Sequence, residues 1–182
     1  MLLSGRITLL LGLLSTALAA GGLTNASRSQ RPATPDPPLI RIEMTPVDLI
    51  GKPNEQPYRV GSDVRLNVIA TNESDQRILV RMINPYYQNR PRLLRDDKLV
   101  PYRSEVTKIV RSKDSYHEFI SVGDFTFLEP YSSAKLKPLD LNKWYGPLNP
   151  GSYRLTNRYR IAIGGPWSRE SASLSFQVVR EP

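Results

Sequence analysis

The side chains that most often act in catalysis are few in this chain, and their spacing fits no familiar catalytic arrangement. The chain has no cysteine and a single histidine, His117, which lies close to Ser115. A hydrolase of the Ser-His-Asp type needs a base beside a positioned serine, and the sequence has no Gly-x-Ser-x-Gly elbow. One histidine without cysteine also falls short of the usual zinc ligand sets. The sequence therefore predicts no metal site and no cofactor.

Carboxylates leave one catalytic possibility open, because a pair of acids can hydrolyse a glycosidic bond. Five acids lie in one part of the chain: Glu105, Asp114, Glu118, Asp124 and Glu129. Such side chains more often lie solvated on strand faces and in turns. We therefore expect a protein that is not an enzyme, with a carboxylate-based glycosidase as an alternative.

Positive charge is concentrated in one stretch of the chain. The formal net charge is +8, and the segment from Arg77 to Lys113 holds ten Lys or Arg against three acids. A concentrated basic region favours an anionic partner through its summed potential and through counterion release.

The basic stretch contains residues 84–92, where two adjacent tyrosines precede two arginines. Tyrosine and arginine are common anchors of recognition surfaces, since they bring large contact area or several directed donors. We therefore predict a binding surface formed by Tyr86, Tyr87, Arg90, Arg92 and Arg95. In the alternative interpretation, the arginines protect edge strands from pairing with other chains and the tyrosines cap the core.

The N-terminal residues have the pattern of a secretory signal peptide. Arg6 precedes an apolar run over residues 7–18, and Ala17-Leu18-Ala19 has the spacing that signal peptidase accepts. The run is shorter than the about 20 residues that span a membrane. We expect residues 1–19 to be a signal peptide, so that the exported protein is periplasmic or extracellular and keeps no transmembrane anchor after cleavage. Residues 20–38 are rich in proline and small polar residues and predict a linker.

The remaining residues, 39–182, predict a single all-β domain. From Tyr153 to Ile163 apolar and aromatic side chains occupy nearly every second position, which is typical of a strand with one buried face. We predict hairpins through residues 72–75 and through Asp96-Asp97. A single helical turn is expected at 140–146. Shorter alternating segments predict further strands at 39–44, 64–71, 76–83, 106–110, 116–122, 125–128, 134–141 and 174–178.

Leu148, Pro150, Gly151 and Tyr153 resemble the corner that precedes the penultimate strand in fibronectin type III and related immunoglobulin-like domains. The resemblance implies an immunoglobulin-like antiparallel β-sandwich, in which the Tyr153 hydroxyl bonds to the backbone a few residues upstream. A weaker likeness covers residues 72–80, 127–130 and 148–153, whose order is similar to the bacterial intracellular proteinase inhibitor family. That likeness implies inhibition of a protease through an exposed loop.

These features together predict an exported, non-catalytic binding domain of bacterial type that recognises a protein or an anionic polysaccharide of the cell envelope. The alternatives are a proteinase inhibitor and, below it, the glycosidase. Nucleic acid is not an expected partner of an exported chain. Arg154, Arg158 and Arg160 supply charge, but lack the interleaved aromatics on which single-stranded nucleic acids stack.

Overall fold

The structure, a computed structural model, describes residues 39–48, 50–54, 57–114 and 124–180. Within these ranges the chain is mostly strand, in several antiparallel sheets, which confirms the all-β class. The predicted signal peptide, the linker, the strand at 116–122 and His117 lie outside the described residues. The strands are β1 (Ile40–Val47), β2 (Tyr58–Arg59), β3 (Arg65–Asn72), β4 (Ile78–Met82), β5 (Arg92–Arg95), β6 (Lys98–Leu99), β7 (Asp124–Leu128), β8 (Ser133–Lys135), β9 (Leu139–Asp140), β10 (Gly151–Thr156) and β11 (Leu174–Val179), and the helices are α1 (Pro85–Gln88), α2 (Ser104–Asp114) and α3 (Leu141–Tyr145).

The first sheet is centred on β3, which pairs with β1 along its whole length and with β8 and β9 on its other side. Leu66, Val68 and Ala70 alternate along β3 and are all buried, as the sequence predicted. The single strand expected at 134–141 is divided into β8 and β9 around Pro138, which has no backbone N–H to donate.

The second sheet has the order β2-β11-β10-β5-β6. Its edge is the predicted hairpin of β5 and β6, whose turn residues Asp96 and Asp97 have φ of 48° and 64°. Two consecutive positive φ values give the turn a twist that matches the flanking strands. The hairpin prediction at Asp96-Asp97 is confirmed.

The third sheet contains β4 and β7, and it shows that the hairpin predicted through residues 72–75 is wrong. The strands on either side of that turn belong to different sheets. Asn72 explains the crossing, because its buried amide donates to the carbonyls of Leu128 and Glu129, both at 3.1 Å, as well as to that of Gln76 at 2.6 Å. The side chain therefore ties the turn to the end of β7 and directs the chain away from β3.

The segment 106–110, predicted as a strand, is instead part of α2, an eleven-residue helix. Val106 and Val110 are its buried residues, four positions apart, which places both on one helical face. The helix packs against α1. None of the described helices is long and apolar enough to cross a membrane.

Buried apolar residues from all three sheets and from α2 and α3 form one cluster that includes Leu66, Val80, Leu93, Trp144 and Leu155. Each fully buried aliphatic side chain of this kind stabilises a fold by about 1.5–3 kcal/mol. The single turn predicted at 140–146 is confirmed as α3, with Asp140 as its N-cap.

The corner before β10 is closed by Tyr153, whose hydroxyl donates to the carbonyl of Asn149 at 2.7 Å. The Tyr153 ring is buried and stacks on Phe176 of β11, with ring centroids 5.2 Å apart. Leu148 is also buried, and Pro150 is half-buried beside Gly151. A Cβ at residue 151 would lie 3.0 Å from Cγ of Arg95, so the close approach of β5 favours glycine.

Candidate functional site

The two tyrosines of the predicted binding surface lie on α1 and face inward. Asn84 caps this short helix by accepting a hydrogen bond from the N–H of Tyr86 at 2.9 Å, and Pro85 follows at its first position. Tyr87 is fully buried, and its hydroxyl accepts the N–H of Gly164 at 2.7 Å. Tyr86 is half-buried against Trp144, with ring centroids 5.0 Å apart. The tyrosines therefore contribute to packing, as the alternative interpretation expected.

The three predicted arginines separate into two places. Arg90 and Arg92 line one cleft, together with residues from the C-terminal part of the chain. Arg95 lines a different, smaller depression beside Leu148 and Tyr153, and pairs with Asp96 at 3.5 Å. Of the five residues proposed from sequence, only Arg90 and Arg92 line the same cleft.

The cleft that holds Arg90 and Arg92 has a volume of about 900 Å³ and is strongly basic. Two carboxylates, Asp114 and Glu170, are outnumbered by arginines. Aromatic walls come from Tyr102, Tyr145 and Trp167. The arginines that line this arginine cleft are Arg90, Arg92, Arg158, Arg160 and Arg169.

Buried side-chain amides join two segments that line the arginine cleft, residues 88–92 and residues 157–160. Asn157 accepts the N–H of Arg90 at 3.1 Å and donates to the side-chain oxygen of Asn89 at 2.8 Å. Gln88 donates to the carbonyl of Arg160 at 3.3 Å. Because buried polar groups are costly when unpaired, this network fixes the register of the two segments.

Two serines hold the loop that carries Trp167 against the segment formed by residues 157–160. Ser168 Oγ accepts the N–H of Tyr159, and Ser171 Oγ accepts the N–H of Asn157, both at 3.0 Å. Both serines are buried. The only sequence signal for this arrangement is the Ser-x-x-Ser spacing directly after the tryptophan, which the sequence analysis missed.

Trp167 lies among the guanidinium groups of the cleft. The ring centroid is 4.3 Å from Cζ of Arg160, 4.7 Å from that of Arg90 and 6.0 Å from that of Arg158. The Arg160 guanidinium also contacts the ring of Tyr87 at 4.7 Å. Guanidinium groups stack on aromatic faces and are held there with their N–H donors pointing outward from the stack. The aromatic partner that sequence reasoning found lacking near Arg158 and Arg160 is thus supplied by the following loop, whereas Arg154 pairs with Asp97 outside the cleft.

Arg90 already uses its donors within the protein. Its guanidinium donates to the carbonyls of Tyr86 and Asn89, both at 2.6 Å, and pairs with Asp114. Burial lowers the pKa of Arg90, Asp114 acts in the opposite direction, and the neighbouring charge of Arg160 lowers it further. Arg90 therefore positions the backbone around the cleft.

The other arginines of the cleft retain their donors. Among the described residues, Arg92, Arg158, Arg160 and Arg169 make no side-chain hydrogen bond or ion pair, and Nε of Arg160 is buried without a partner. The hydroxyls of Tyr102 and Tyr145 both donate to the carbonyl of Pro91, at 2.7 and 2.8 Å. Burial raises the pKa of both phenols. The phenols stay neutral at ordinary pH and offer ring surface to a ligand, while the guanidinium groups offer the charged donors.

The described acids considered for glycoside hydrolysis each pair with a different basic residue. Asp114 pairs with Arg90, Asp124 with Lys137 at 3.5 Å, Glu129 with Arg77 at 2.8 Å, and Glu105 with Arg103 at 3.6 Å, while Glu118 and Ser115 lie outside the described residues. In the described ranges, no group of three or more His, Asp or Glu side chains is arranged to hold a metal ion.

No protein-family model matches the sequence, and a search of curated proteins gives no match.

Proposed function

We propose that this chain is an exported, non-catalytic binding domain that recognises an anionic polysaccharide of the cell envelope in its arginine cleft. The observation that carries the proposal is the group of four arginines whose donors have no partner among the described residues, arranged beside aromatic walls. Guanidinium groups of this kind form strong, directed hydrogen bonds with anionic oxygens.

The size of the cleft, about 900 Å³, favours a glycan over a compact ion. Its lining includes residues from the β5–β6 hairpin, α2, α3 and the loop that carries Trp167. The aromatic surfaces of Tyr102 and Tyr145 lie beside the arginines, and aromatic walls with a few convergent polar groups are typical of ligand sites.

The proposal includes an immunoglobulin-like sandwich and export. The Tyr153 hydrogen bond to Asn149 supports the first, because the immunoglobulin-like resemblance implies such a bond. The Arg6 residue and the apolar run 7–18 support the second.

The test uses the mature protein, residues 20–182. Its binding to heparin and to dextran sulfate is measured by isothermal titration calorimetry over a series of salt concentrations. We expect affinity that falls steeply with salt, since bound counterions are released. The double variant R158Q/R160Q is expected to lose most of this affinity. The matched double variant R41Q/R154Q removes the same charge from exposed positions that do not line the cleft, and is expected to retain most of it. Equal losses in the two variants would reject the cleft as the site.

A further inference from the structure

Arg158 and Arg160 form a pair within the arginine cleft. They are two positions apart in an extended segment, so their side chains leave the backbone on the same side, about 7 Å apart. Both guanidinium groups lie near the same indole ring, with Cζ 6.0 and 4.3 Å from the centroid of Trp167. Contact with the Trp167 ring restricts the side chains of Arg158 and Arg160 before a ligand binds, so less rotamer entropy is lost on binding.

The pair carries two separate donor forks, both close to the Trp167 ring. A carboxylate has two oxygens in one plane, which match the fork of a single guanidinium. The ester of a tetrahedral oxyanion, such as sulfate or phosphate, has three terminal oxygens that point in different directions. Two guanidinium groups that approach from different directions therefore satisfy a tetrahedral group better than a planar one.

The charge of the cleft favours the same ligand class. Arg90 is compensated by Asp114, and Glu170 accepts a hydrogen bond from Thr156 at 2.6 Å. Arg158 and Arg160 have no ion pair among the residues described here, and arginine cannot relieve repulsion by losing its proton. A phosphate monoester, with a charge of about −1.5 to −2, offsets this repulsion more than a carboxylate of charge −1 does. A sulfate ester also carries −1, but its three terminal oxygens allow it to meet both guanidinium groups at once.

Part of the cleft lining is apolar. Leu99 is 62% exposed and lies at the cleft with Val100 and Pro101, next to the rings of Tyr102 and Tyr145. Because the hydroxyls of both tyrosines are already used on Pro91, this side offers contact surface and few donors. A sugar ring, with its C–H faces, fits such a wall.

We infer that the arginine cleft selects a sulfate or phosphate ester carried on a sugar ring over a carboxylate, through the paired guanidinium groups of Arg158 and Arg160. The inference rests on the proposed function and specifies its ligand.

The experiment compares four probes built on one backbone: dextran sulfate, dextran phosphate, carboxymethyl dextran and unmodified dextran, at matched chain length and degree of substitution. Calorimetry with the mature protein at about 0.15 M salt measures each dissociation constant. We expect at least one ester to bind about tenfold or more tightly than carboxymethyl dextran, and unmodified dextran not to bind. The two ester arms show whether sulfate or phosphate is preferred.

The variant R158K/R160K keeps both charges and removes both forks, and is expected to lose the preference for the ester. R154K is the control, and thermal unfolding checks that each variant is folded. Carboxymethyl dextran binding as tightly as both esters, or a preference that survives in R158K/R160K, would overturn the inference while leaving the proposed function intact. Failure of all anionic probes to bind would overturn both.

Discussion

Arg160 offers a direct way to separate a ligand-binding role from a packing role. Its guanidinium lies 4.7 Å from the ring of Tyr87 and 4.3 Å from that of Trp167, and its Nε is buried without a partner among the described residues. The variant R160M keeps a long, flexible side chain between the rings and removes the charge.

Several free-energy changes of R160M oppose one another. Loss of the cation–π contacts destabilises the fold by about 0.5–2 kcal/mol, and a methionine sulfur beside the rings restores about 0.3–1.5 kcal/mol. Removal of the buried, unpaired Nε stabilises the fold by about 1–3 kcal/mol, and relief of repulsion with Arg90 adds to this. The sum of these contributions lies between a loss of about 0.7 and a gain of about 4 kcal/mol in the free energy of unfolding. We therefore expect R160M to be about as stable as the parent protein or more stable.

The expected effect of R160M on ligand binding is a loss of affinity. A hydrogen bond to a charged group contributes about 1.5–3 kcal/mol, which corresponds to about a 10- to 150-fold change in dissociation constant. The assay combines urea unfolding, followed by circular dichroism, with calorimetric titration of dextran sulfate. R154M, at an exposed position outside the cleft, is the control for both measurements. A loss of more than about 2 kcal/mol of stability with unchanged binding would refute the reasoning and make Arg160 a packing residue.

Three further predictions concern the fold. Y153F removes the hydroxyl that donates to Asn149 and should lower the free energy of unfolding, measured in urea, by about 1 kcal/mol. The control Y131F, at a 73% exposed residue, should leave it unchanged. Equal effects of the two variants would contradict a stabilising role for the Tyr153 hydrogen bond. N72A removes the amide that ties the 72–75 turn to β7 and should lower the free energy of unfolding by about 3 kcal/mol or more in the same assay. A loss below about 1 kcal/mol would show that the path of the chain from β3 to β4 does not depend on the Asn72 amide. Burial raises the pKa of Tyr145 and Tyr159 above the ordinary value of 10.0. These phenols therefore ionise in the unfolded chain at a lower pH than in the folded protein. The free energy of unfolding should be unaffected below pH 10.0 and should fall as the pH rises above it. Each such tyrosine contributes a limiting slope of about 1.4 kcal/mol per pH unit, and Y145F, unfolded in urea across this pH range, should reduce the slope by that amount; an unchanged slope would contradict the assignment.

The alternation from Tyr153 onward could be predicted from sequence because side-chain direction in an extended chain depends only on the local backbone. Tyr153, Leu155 and Asn157 are all buried, as are Tyr159 and Ile161. The regular strand β10 nevertheless ends at Thr156. Past that point the backbone bonds to serine side chains and to the α1 segment, and only isolated bridges continue the ladder.

The secondary structure of residues 106–110 could not be predicted from the local pattern. Valine and isoleucine favour strands, and Val106, Ile109 and Val110 therefore suggested one. Their spacing of three and four fits a helical face equally well, and in the fold Val106 and Val110 are buried on a helix that packs against α1. The wrong hairpin at 72–75 has a similar origin, since the partners of Asn72 at residues 128 and 129 are remote in sequence.

The candidate site was found only in part for the same reason. The basic stretch of the sequence includes Arg90 and Arg92, which line the arginine cleft, because charge is visible in composition. Trp167, Arg158 and Arg160 join them through bonds from buried amides and serines, which leave no distinct sequence pattern. Likewise, the side chains of Tyr86 and Tyr87 point inward because they lie on the four-residue helix α1, which the local sequence did not predict.

The backbone of the arginine cleft is held independently of the arginines that we assign to ligand binding. Asn157, Ser168 and Ser171 fix the segments through buried hydrogen bonds, and Arg90 closes the end of α1. Outside the cation–π contacts, the side chains of Arg158 and Arg160 make no bond that this framework needs among the described residues. Like charges held in one cleft lower the stability of the fold. A purely structural role does not explain their presence, because apolar side chains would fill the same space without repulsion. A bound anion removes that cost, so the protein should gain thermal stability in the ligand's presence, and R158Q/R160Q should abolish this gain without preventing folding.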